Sequence, residues 1–216
     1  MRLQTGNQIS KLVRNPGGQV DPREQSHQVP ASQFAPLRRS PATPILARDF
    51  YARPAVEVAP DLLGCILVHG PRAARIVEAE AYPGLSDPAS HAYRGLTPRT
   101  RVLFGPPGHA YVYLIYGMHE CLNFVTQPDG EPGCVLIRAL EPLRGVKLPT
   151  HGPGRLTRAM AITRHHYGAD LTRGRLRVHY GERAEPIAAG PRIGIGLYPD
   201  LPLRFWLHGN PFVSRG

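Results

Sequence analysis

Lysine and cysteine are scarce in this 216-residue chain, and long apolar runs are missing. The three cysteines, Cys65, Cys121 and Cys134, are odd in number and form no Cys-x-x-Cys pair. That pattern argues against a disulfide framework and against a zinc knuckle. Each cysteine lies in an apolar run, which predicts buried free thiols. No apolar run approaches the length of a transmembrane helix, so we expect no membrane association.

Several catalytic signatures are also absent from the sequence. It contains no Gly-x-x-x-x-Gly-Lys loop, no Gly-x-Ser-x-Gly elbow and no Cys/His nucleophile signature. The only lysines, Lys11 and Lys147, lie far along the chain from the acidic strand 75–82, which argues against Schiff-base chemistry. The candidate metal ligands are His91, His109, His119 and Glu120. Their spacing fits no helical metal motif, so we expect neither a metal nor another cofactor.

Positive charge is abundant, with a formal net charge of +10 at pH 7. A basic surface favours nucleic acid, an anionic membrane or acidic substrates. Only two of the 26 basic residues are lysines, and a bias toward arginine can also reflect genomic base composition. Charge alone therefore leaves nucleic-acid binding open. The N-terminus has no apolar segment typical of a secretory signal, so we expect a cytoplasmic protein, associated with the nucleoid if bacterial.

The chain divides into a tail and one domain. Residues 1–43 are rich in Gln, Ser, Pro and Arg, and poor in aromatic and branched apolar residues. Such a segment buries too little surface to offset its ordering entropy, which predicts a disordered basic tail. A basic arm that adds weak DNA affinity is the alternative. Residues 44–216 are predicted to form a single domain without internal repeats.

The predicted fold class is α+β, because antiparallel hairpins alternate with scattered short helices around one curved sheet. Residues 65–69 and 75–82, joined by the turn Gly70-Pro71, are expected to form a hairpin. Further strands are expected at 110–114, 122–126, 133–141, 176–179, 192–196 and 203–208. Helical segments are expected at 46–51, 58–63, 98–103 and 156–163.

The strand 75–82, RIVEAEAY, is unusual because carboxylates and a phenol share one of its faces. Its period-two alternation is the mark of a strand with one face on a core. One face carries Val77, Ala79 and Ala81, and the other carries Ile76, Glu78, Glu80 and Tyr82. A buried carboxylate without a partner is costly, so the acidic face either meets water or holds a site. The loop that follows supplies further polar groups.

Tyrosines cluster in residues 111–118, YVYLIYGM. Tyr111 and Tyr113 share one strand face, whereas Tyr116 lies past the strand end beside Gly117, where the backbone can turn sharply. Exposed aromatic rings stack on bases and can fill the gap left by a displaced base. A half-buried core role is the alternative for each tyrosine.

Two polar residues lie in otherwise apolar strands. Arg138 shares a predicted strand face with Cys134 and Leu136, so it should pair with a carboxylate or a phosphate. A structural ion pair would meet this need equally well. The side-chain amide of Asn123 hydrogen-bonds either to the backbone or to the edge of a ligand.

Five blocks of the sequence resemble the alkyladenine (3-methyladenine) DNA glycosylase family, the monofunctional methylpurine DNA glycosylases. The blocks are 75–82 with His91, 111–118, 135–142 (VLIRALEP), 152–156 (GPGRL) and 203–214. The resemblance spans about residues 46–214. It implies a single α+β domain that hydrolyses the N-glycosidic bond of alkylated purines in base excision repair, leaving an abasic site with no metal and no lyase step. The expected partner is double-stranded DNA containing damaged purines, bound by a monomer.

The resemblance also implies roles for individual residues. Glu80 matches the general base that activates water, and Arg138 matches the residue that helps hold this glutamate and its water. Tyr82, His91 and Tyr113 match the walls of the lesion pocket.

Three further residues carry roles by the same resemblance. Asn123 matches the residue that discourages normal guanine, and Tyr116 matches the side chain wedged into the duplex, with Met118 beside it as a second intercalating residue. The expected substrates are alkylated purines such as 3-methyladenine, possible others being hypoxanthine, ethenoadenine and 7-methylguanine, and the sequence does not rank these four lesions.

Two other functions would leave different signs. A lesion- or RNA-binding protein that had lost the chemistry would be expected to lack the glutamate, and Glu80 is present. A metal-dependent hydrolase using the histidines would lose its activity in EDTA.

Overall fold

The computed structural model describes residues 28–29, 43–196 and 200–214, and most of them belong to or pack against one antiparallel sheet. The described strands are β1 (Gln28–Val29), β2 (Ile66–His69), β3 (Arg72–Tyr82), β4 (Ala110–Ile115), β5 (His119–Val125), β6 (Cys134–Arg144), β7 (Leu176–His179), β8 (Ile187–Gly190) and β9 (Arg204–Leu207). The α-helices are α1 (Arg48–Tyr51), α2 (Ala55–Asp61) and α3 (Pro153–Met160). Short 3-10 helices span Gly84–Ser86, His91–Arg94, Arg101–Phe104 and Arg164–His166.

Strand β3 is the centre of the sheet. The strand order is β1-β8-β9-β3-β6-β5-β4, while β2 pairs with both β3 and β7. Glu80 on β3 therefore lies opposite Leu136 on β6 and opposite Arg204 on β9. A curved antiparallel sheet with a few short helices is an α+β architecture, which confirms the predicted fold class.

The apolar alternation of β3 is interrupted where the carboxylates begin. The β3–β6 pairing shifts register on both sides of Glu78, as expected for a bulge that re-aims side chains. Residues 76–81 are buried on both faces, so the acidic face does not meet water. The carboxylates of this face therefore need partners inside the protein, and a site at this face stays a prediction.

The hydrophobic core lies between this sheet and the helices. Helix α2 packs against β3, and α3 packs against β5 and β6. Side chains from both layers are fully buried, among them Tyr51, Leu62, Phe124, Ile137 and Leu156. All three cysteines are free and buried, as predicted. Among the described residues no helix has the length and apolarity needed to cross a membrane.

Two helices begin earlier than predicted. Helix α2 begins at Ala55, directly after Pro54, and not at residue 58. Helix α3 begins at Pro153 and ends before Ala161, which adopts a left-handed conformation, so the predicted range 156–163 is displaced by three residues. The sequence Gly152-Pro153-Gly154 resembles a turn, but proline suits the first helical position because its missing N–H would be unpaired there anyway.

The predicted strand at 192–196 is wrong. The strand of this region is β8, Ile187–Gly190, and the residues that follow it are irregular. The reason is that Arg192 pairs with Asp87 and the Ile193 N–H donates to Glu80, so these groups are engaged by side chains and not by a strand ladder. The predicted helix at 98–103 is the 3-10 helix Arg101–Phe104.

The predicted tail, residues 1–43, lies outside the described residues except for 28–29 and Thr43. Gln28 and Val29 pair with β8 through Ala188 and Ile187. The division into a tail and a domain beginning at residue 44 therefore stays a prediction.

Candidate active site

Glu80 is completely buried, yet both of its carboxylate oxygens have partners. Oε1 accepts a hydrogen bond from the Ile193 N–H at 2.8 Å and lies 3.2 Å from Nη1 of Arg138. Oε2 accepts a hydrogen bond from the Tyr82 hydroxyl at 3.0 Å. Burial raises the pKa of Glu80, and Arg138, Ile193 and Tyr82 act in the opposite direction by stabilising the ionised form.

Arg138 joins the two carboxylates of β3. Its Nε lies 3.4 Å from Glu78, its Nη1 faces Glu80, and its side chain is almost wholly buried. The expectation that an arginine on an apolar face has an ionic partner is confirmed. Because the same guanidinium contacts both glutamates, its charge is shared between them.

Glu78 has a different set of partners from Glu80. Arg204 Nε donates to it at 2.6 Å, and the Ser214 N–H and hydroxyl donate at 2.7 and 2.9 Å. These bonds tie β9 and the segment after it to β3. Glu78 therefore has a structural role that fully engages its carboxylate.

The predicted pocket walls meet in an aromatic cluster beside Glu80. The rings of His91 and Tyr113 are 4.5 Å apart between centroids at an interplanar angle of 70°, and His91 Nδ1 lies 2.8 Å from the Tyr111 hydroxyl. Tyr82 and Tyr113 pack against the same small group of buried side chains. We call His91, Tyr113 and Tyr82 the aromatic slot.

The charge state of the slot is set by burial and by Arg99. Partial burial of the ring, together with the Arg99 guanidinium, lowers the pKa of His91 to about 4, so the imidazole is neutral at pH 7. Burial raises the pKa of Tyr82 and of Tyr113, which keeps both hydroxyls protonated. The Arg99 guanidinium lies 5.1 Å from the Tyr113 ring centroid.

Asn123 lies beneath this cluster and is held in one orientation. Its Nδ2 donates to the Tyr111 carbonyl at 3.1 Å, and its Oδ1 lies 3.8 Å from Cys134 Sγ. The side chain is thus satisfied by a backbone carbonyl, as in the alternative considered for a lone asparagine in a strand. Its predicted role against guanine stays a prediction.

Tyr116 and Met118 lie at the tip of the β4–β5 hairpin and project from the molecule. Tyr116 is 84% exposed and Met118 is 70% exposed. Tyr116 also has a positive φ of 52°, which is uncommon for a bulky residue. A core role is therefore excluded for Tyr116, whereas Tyr111 is buried.

Three contributors to the site were not singled out from the sequence as site residues. Arg192 packs its guanidinium 4.6 Å from the Tyr82 ring centroid, Ile193 donates its N–H to Glu80, and Arg99 lies on Tyr113. Arg99 could have been found by its position between the sequence blocks 75–82 and 111–118. The contribution of Ile193 is a backbone group and leaves no signal in its residue type.

A cavity of about 430 Å³ is lined in part by β4. It shares Tyr113 with the aromatic slot and is otherwise lined by residues that include Arg99, Arg164 and Tyr167. Glu80 does not line this cavity, so the cavity lies beside the aromatic slot and does not contain the Glu80 carboxylate. Among the described residues no group of three or more His, Cys, Asp or Glu side chains is arranged to hold a metal ion.

Comparison with known sequences gives the class of the protein as a DNA glycosylase. Residues 49–211 match the family model described as methylpurine-DNA glycosylase (MPG). That range contains β2 to β9 and every predicted site residue. The chain belongs to the methylpurine-DNA glycosylase family, which confirms the resemblance seen in the five sequence blocks.

Similar curated proteins come from archaea and bacteria. A Methanocella arvoryzae protein is 49% identical over 193 residues, covering 80% of this chain and 96% of that protein. An Anaeromyxobacter dehalogenans protein is 50% identical over 179 residues, covering 79% and 85%, respectively. A Methanoculleus marisnigri protein is 48% identical over 190 residues, covering 79% and 98%. All three are named "Putative 3-methyladenine DNA glycosylase".

Proposed function

We propose that this protein excises 3-methyladenine and related alkylated purines from double-stranded DNA, using a water molecule activated by Glu80. The names of its relatives support the lesion class. The observation that carries the mechanism is a buried carboxylate with donors on both oxygens, hydrogen-bonded to a wall of the aromatic slot.

The target nucleotide has to leave the duplex, because a stacked base is out of reach of any buried carboxylate. Extrusion costs a few kcal/mol, and less for a damaged base. Tyr116 and Met118, exposed at a hairpin tip, are suited to fill the vacated space. A net charge of +10 favours the surrounding phosphates.

The extruded base is held in the aromatic slot. A cationic base such as 3-methyladenine is attracted to an aromatic ring face by roughly 0.5–2 kcal/mol. Because His91 is neutral at pH 7, it does not repel such a base. The positive charge also makes the purine a good leaving group, so a cationic lesion needs no protein acid.

Bond cleavage then depends on Glu80. When the bond from C1′ to the purine nitrogen breaks, its electron pair stays with the cationic purine, which therefore leaves as a neutral base. The sugar becomes oxocarbenium-like. The ionised Glu80 stabilises this cation and takes a proton from the water whose oxygen bonds to C1′. Arg138 opposes the tendency of burial to protonate the carboxyl. The products are a free base and an abasic site.

Duplex DNA containing a damaged purine is the proposed partner, bound by a monomer in the cytoplasm, or at the nucleoid if the source is bacterial. The neutral lesion hypoxanthine would also require protonation as it leaves, and ethenoadenine and 7-methylguanine are proposed as further substrates.

An excision assay tests this function. Purified protein in EDTA is incubated with duplexes that each contain one of the four lesions, and alkali then reveals abasic sites as strand breaks. We expect breaks at the 3-methyladenine position in EDTA and none in an undamaged duplex. Release of no lesion would contradict the proposed function, and activity lost in EDTA but restored by a divalent cation would favour a metal-dependent hydrolase.

A further inference from the structure

A buried ion pair lies directly behind the site and has no role in the mechanism above. Arg192 Nη2 donates to Asp87 Oδ1 at 3.0 Å, and Nη1 donates to the other carboxylate oxygen. Both side chains are almost completely buried. Asp87 follows the Gly84–Ser86 helix and Arg192 follows β8, so the pair joins two loops that are distant in sequence.

Arg192 and Ile193 contact three consecutive residues of β3. Arg192 Nη1 donates to the Ala81 carbonyl at 3.1 Å, and its guanidinium carbon lies 4.6 Å from the Tyr82 ring centroid. The next N–H, of Ile193, donates to Glu80 at 2.8 Å. One loop therefore fixes both the carboxylate and a wall of the slot.

Stability alone is a poor explanation for this arrangement. Two charges lose their hydration on burial, and well-packed apolar residues often replace a buried ion pair without loss of stability. A two-point arginine–carboxylate contact fixes orientation in a way that apolar packing does not. The orientation matters here because residues 191–196 are in neither helix nor strand, so no ladder holds the Ile193 N–H.

We propose that Asp87 and Arg192 are positioning residues for base excision, and we call the pair the Asp87–Arg192 brace. The brace holds the Ile193 N–H on Glu80 and the Tyr82 ring at the edge of the slot. This inference rests on the proposed function, since it concerns the same reaction.

Loss of the brace has distinct consequences for chemistry and for binding. Without the Ile193 hydrogen bond, the ionised form of Glu80 is less stabilised. As the pH is lowered, excision is therefore lost at a higher pH than in wild type. A displaced carboxylate and a displaced ring slow the chemical step, because a shift of about 1 Å can reduce a rate on the order of 100-fold. Duplex binding through Tyr116 and the basic surface does not depend on the brace.

The test is the double variant Asp87→Asn/Arg192→Met. It removes one negative and one positive charge together, so the net charge of the protein is unchanged. The control is Asp170→Asn/Arg48→Met, which removes a second, more exposed Arg–Asp pair, at α1, whose charged atoms are 2.7 Å apart.

Three quantities are measured for each protein: the single-turnover excision rate against pH, the Kd for a duplex with an uncleavable abasic analogue, and Tm. For the brace variant we expect a rate at pH 7 lower by about 10- to 100-fold, an acid limb displaced to higher pH, and a Kd within about twofold of wild type. The control variant is expected to lose Tm while keeping the rate and the pH profile.

The proposal is overturned if excision by the brace variant falls at the same acidic pH as in wild type. It is also overturned if the excision rate falls only by the factor by which duplex binding weakens. If the double variant does not fold, Arg192→Lys takes its place. It keeps the charge but loses the planar two-point contact, and we expect a smaller shift of the acid limb in the same direction. If wild type itself excises no lesion, the proposed function is refuted. If wild type excises a lesion and the brace variant behaves like wild type, only the role of the brace is refuted.

Discussion

Glu78 and Glu80 lie two residues apart on β3 and are equally buried, but their partners give them different tasks. Glu78 accepts hydrogen bonds from Arg204 and from Ser214, which belong to the last described segment of the chain. Glu80 instead accepts hydrogen bonds from the Tyr82 hydroxyl in the aromatic slot and from the Ile193 N–H in an irregular loop. Because residue type and burial are the same for both glutamates, the structural role of Glu78 and the proposed catalytic role of Glu80 are distinguished only by their donors.

The raised pKa of Glu80 should be visible in the pH profile of excision. Burial raises the pKa of Glu80, and only its ionised form is a base, so excision of a cationic lesion should fall with decreasing pH at values above the range of an ordinary glutamate. His91, with a pKa lowered to about 4, should add no step near its usual value. Single-turnover rates between about pH 4 and 8 measure this. A step near pH 6.5 that disappears in His91→Gln would contradict the neutral state of the slot.

At the scale of elements, the β4–β5 hairpin presents an exposed aromatic ring that contributes little to the core. We expect Tyr116→Ala to weaken capture of the extruded nucleotide without a loss of Tm, since Tyr116 is 84% exposed. The measurement is 2-aminopurine fluorescence beside the lesion, with Leu148→Ala as the control at another exposed apolar residue. Equal flipping signals in Tyr116→Ala and wild type would count against the wedge.

The link between β3 and β9 should be important for stability. Glu78→Ala leaves the cations of Arg204 and Arg138 without this carboxylate, and breaking a buried pair typically costs about 3–5 kcal/mol. Urea denaturation should show a loss of unfolding free energy of that order. The control Glu131→Ala, at an exposed turn, should stay within about 0.5 kcal/mol of wild type. A loss below about 1 kcal/mol for Glu78→Ala would contradict the structural role.

The sequence predicts these elements unevenly. Period-two alternation and the Gly70-Pro71 turn are local signals, and they correctly predict the β2–β3 hairpin. The bulge at Glu78 has no local signal, since it depends on pairing with β6. The residues after β8 have strand-like composition, but the ion pair of Arg192 prevails over local propensity.

At the scale of the whole molecule, the antiparallel sheet brings together groups that are far apart in the sequence. The burial cost of a charge predicts that Glu80 and Arg138 need partners, and they proved to be partners of each other. Which arginine meets Asp87 or Glu78 depends on the tertiary arrangement of β8 and β9, so a single sequence does not predict it. The slot could be predicted only through the family resemblance.

The proposed role of Glu80 is tested most directly by comparing Glu80→Gln with wild type on a 3-methyladenine duplex. The substitution keeps the shape of the side chain but removes the base, so we expect an unchanged Kd for lesion DNA and a single-turnover excision rate lower by about 100-fold or more. Glu131→Gln, at an exposed turn, serves as the control and should excise normally. An excision rate for Glu80→Gln close to that of wild type would contradict activation of the water by this carboxylate.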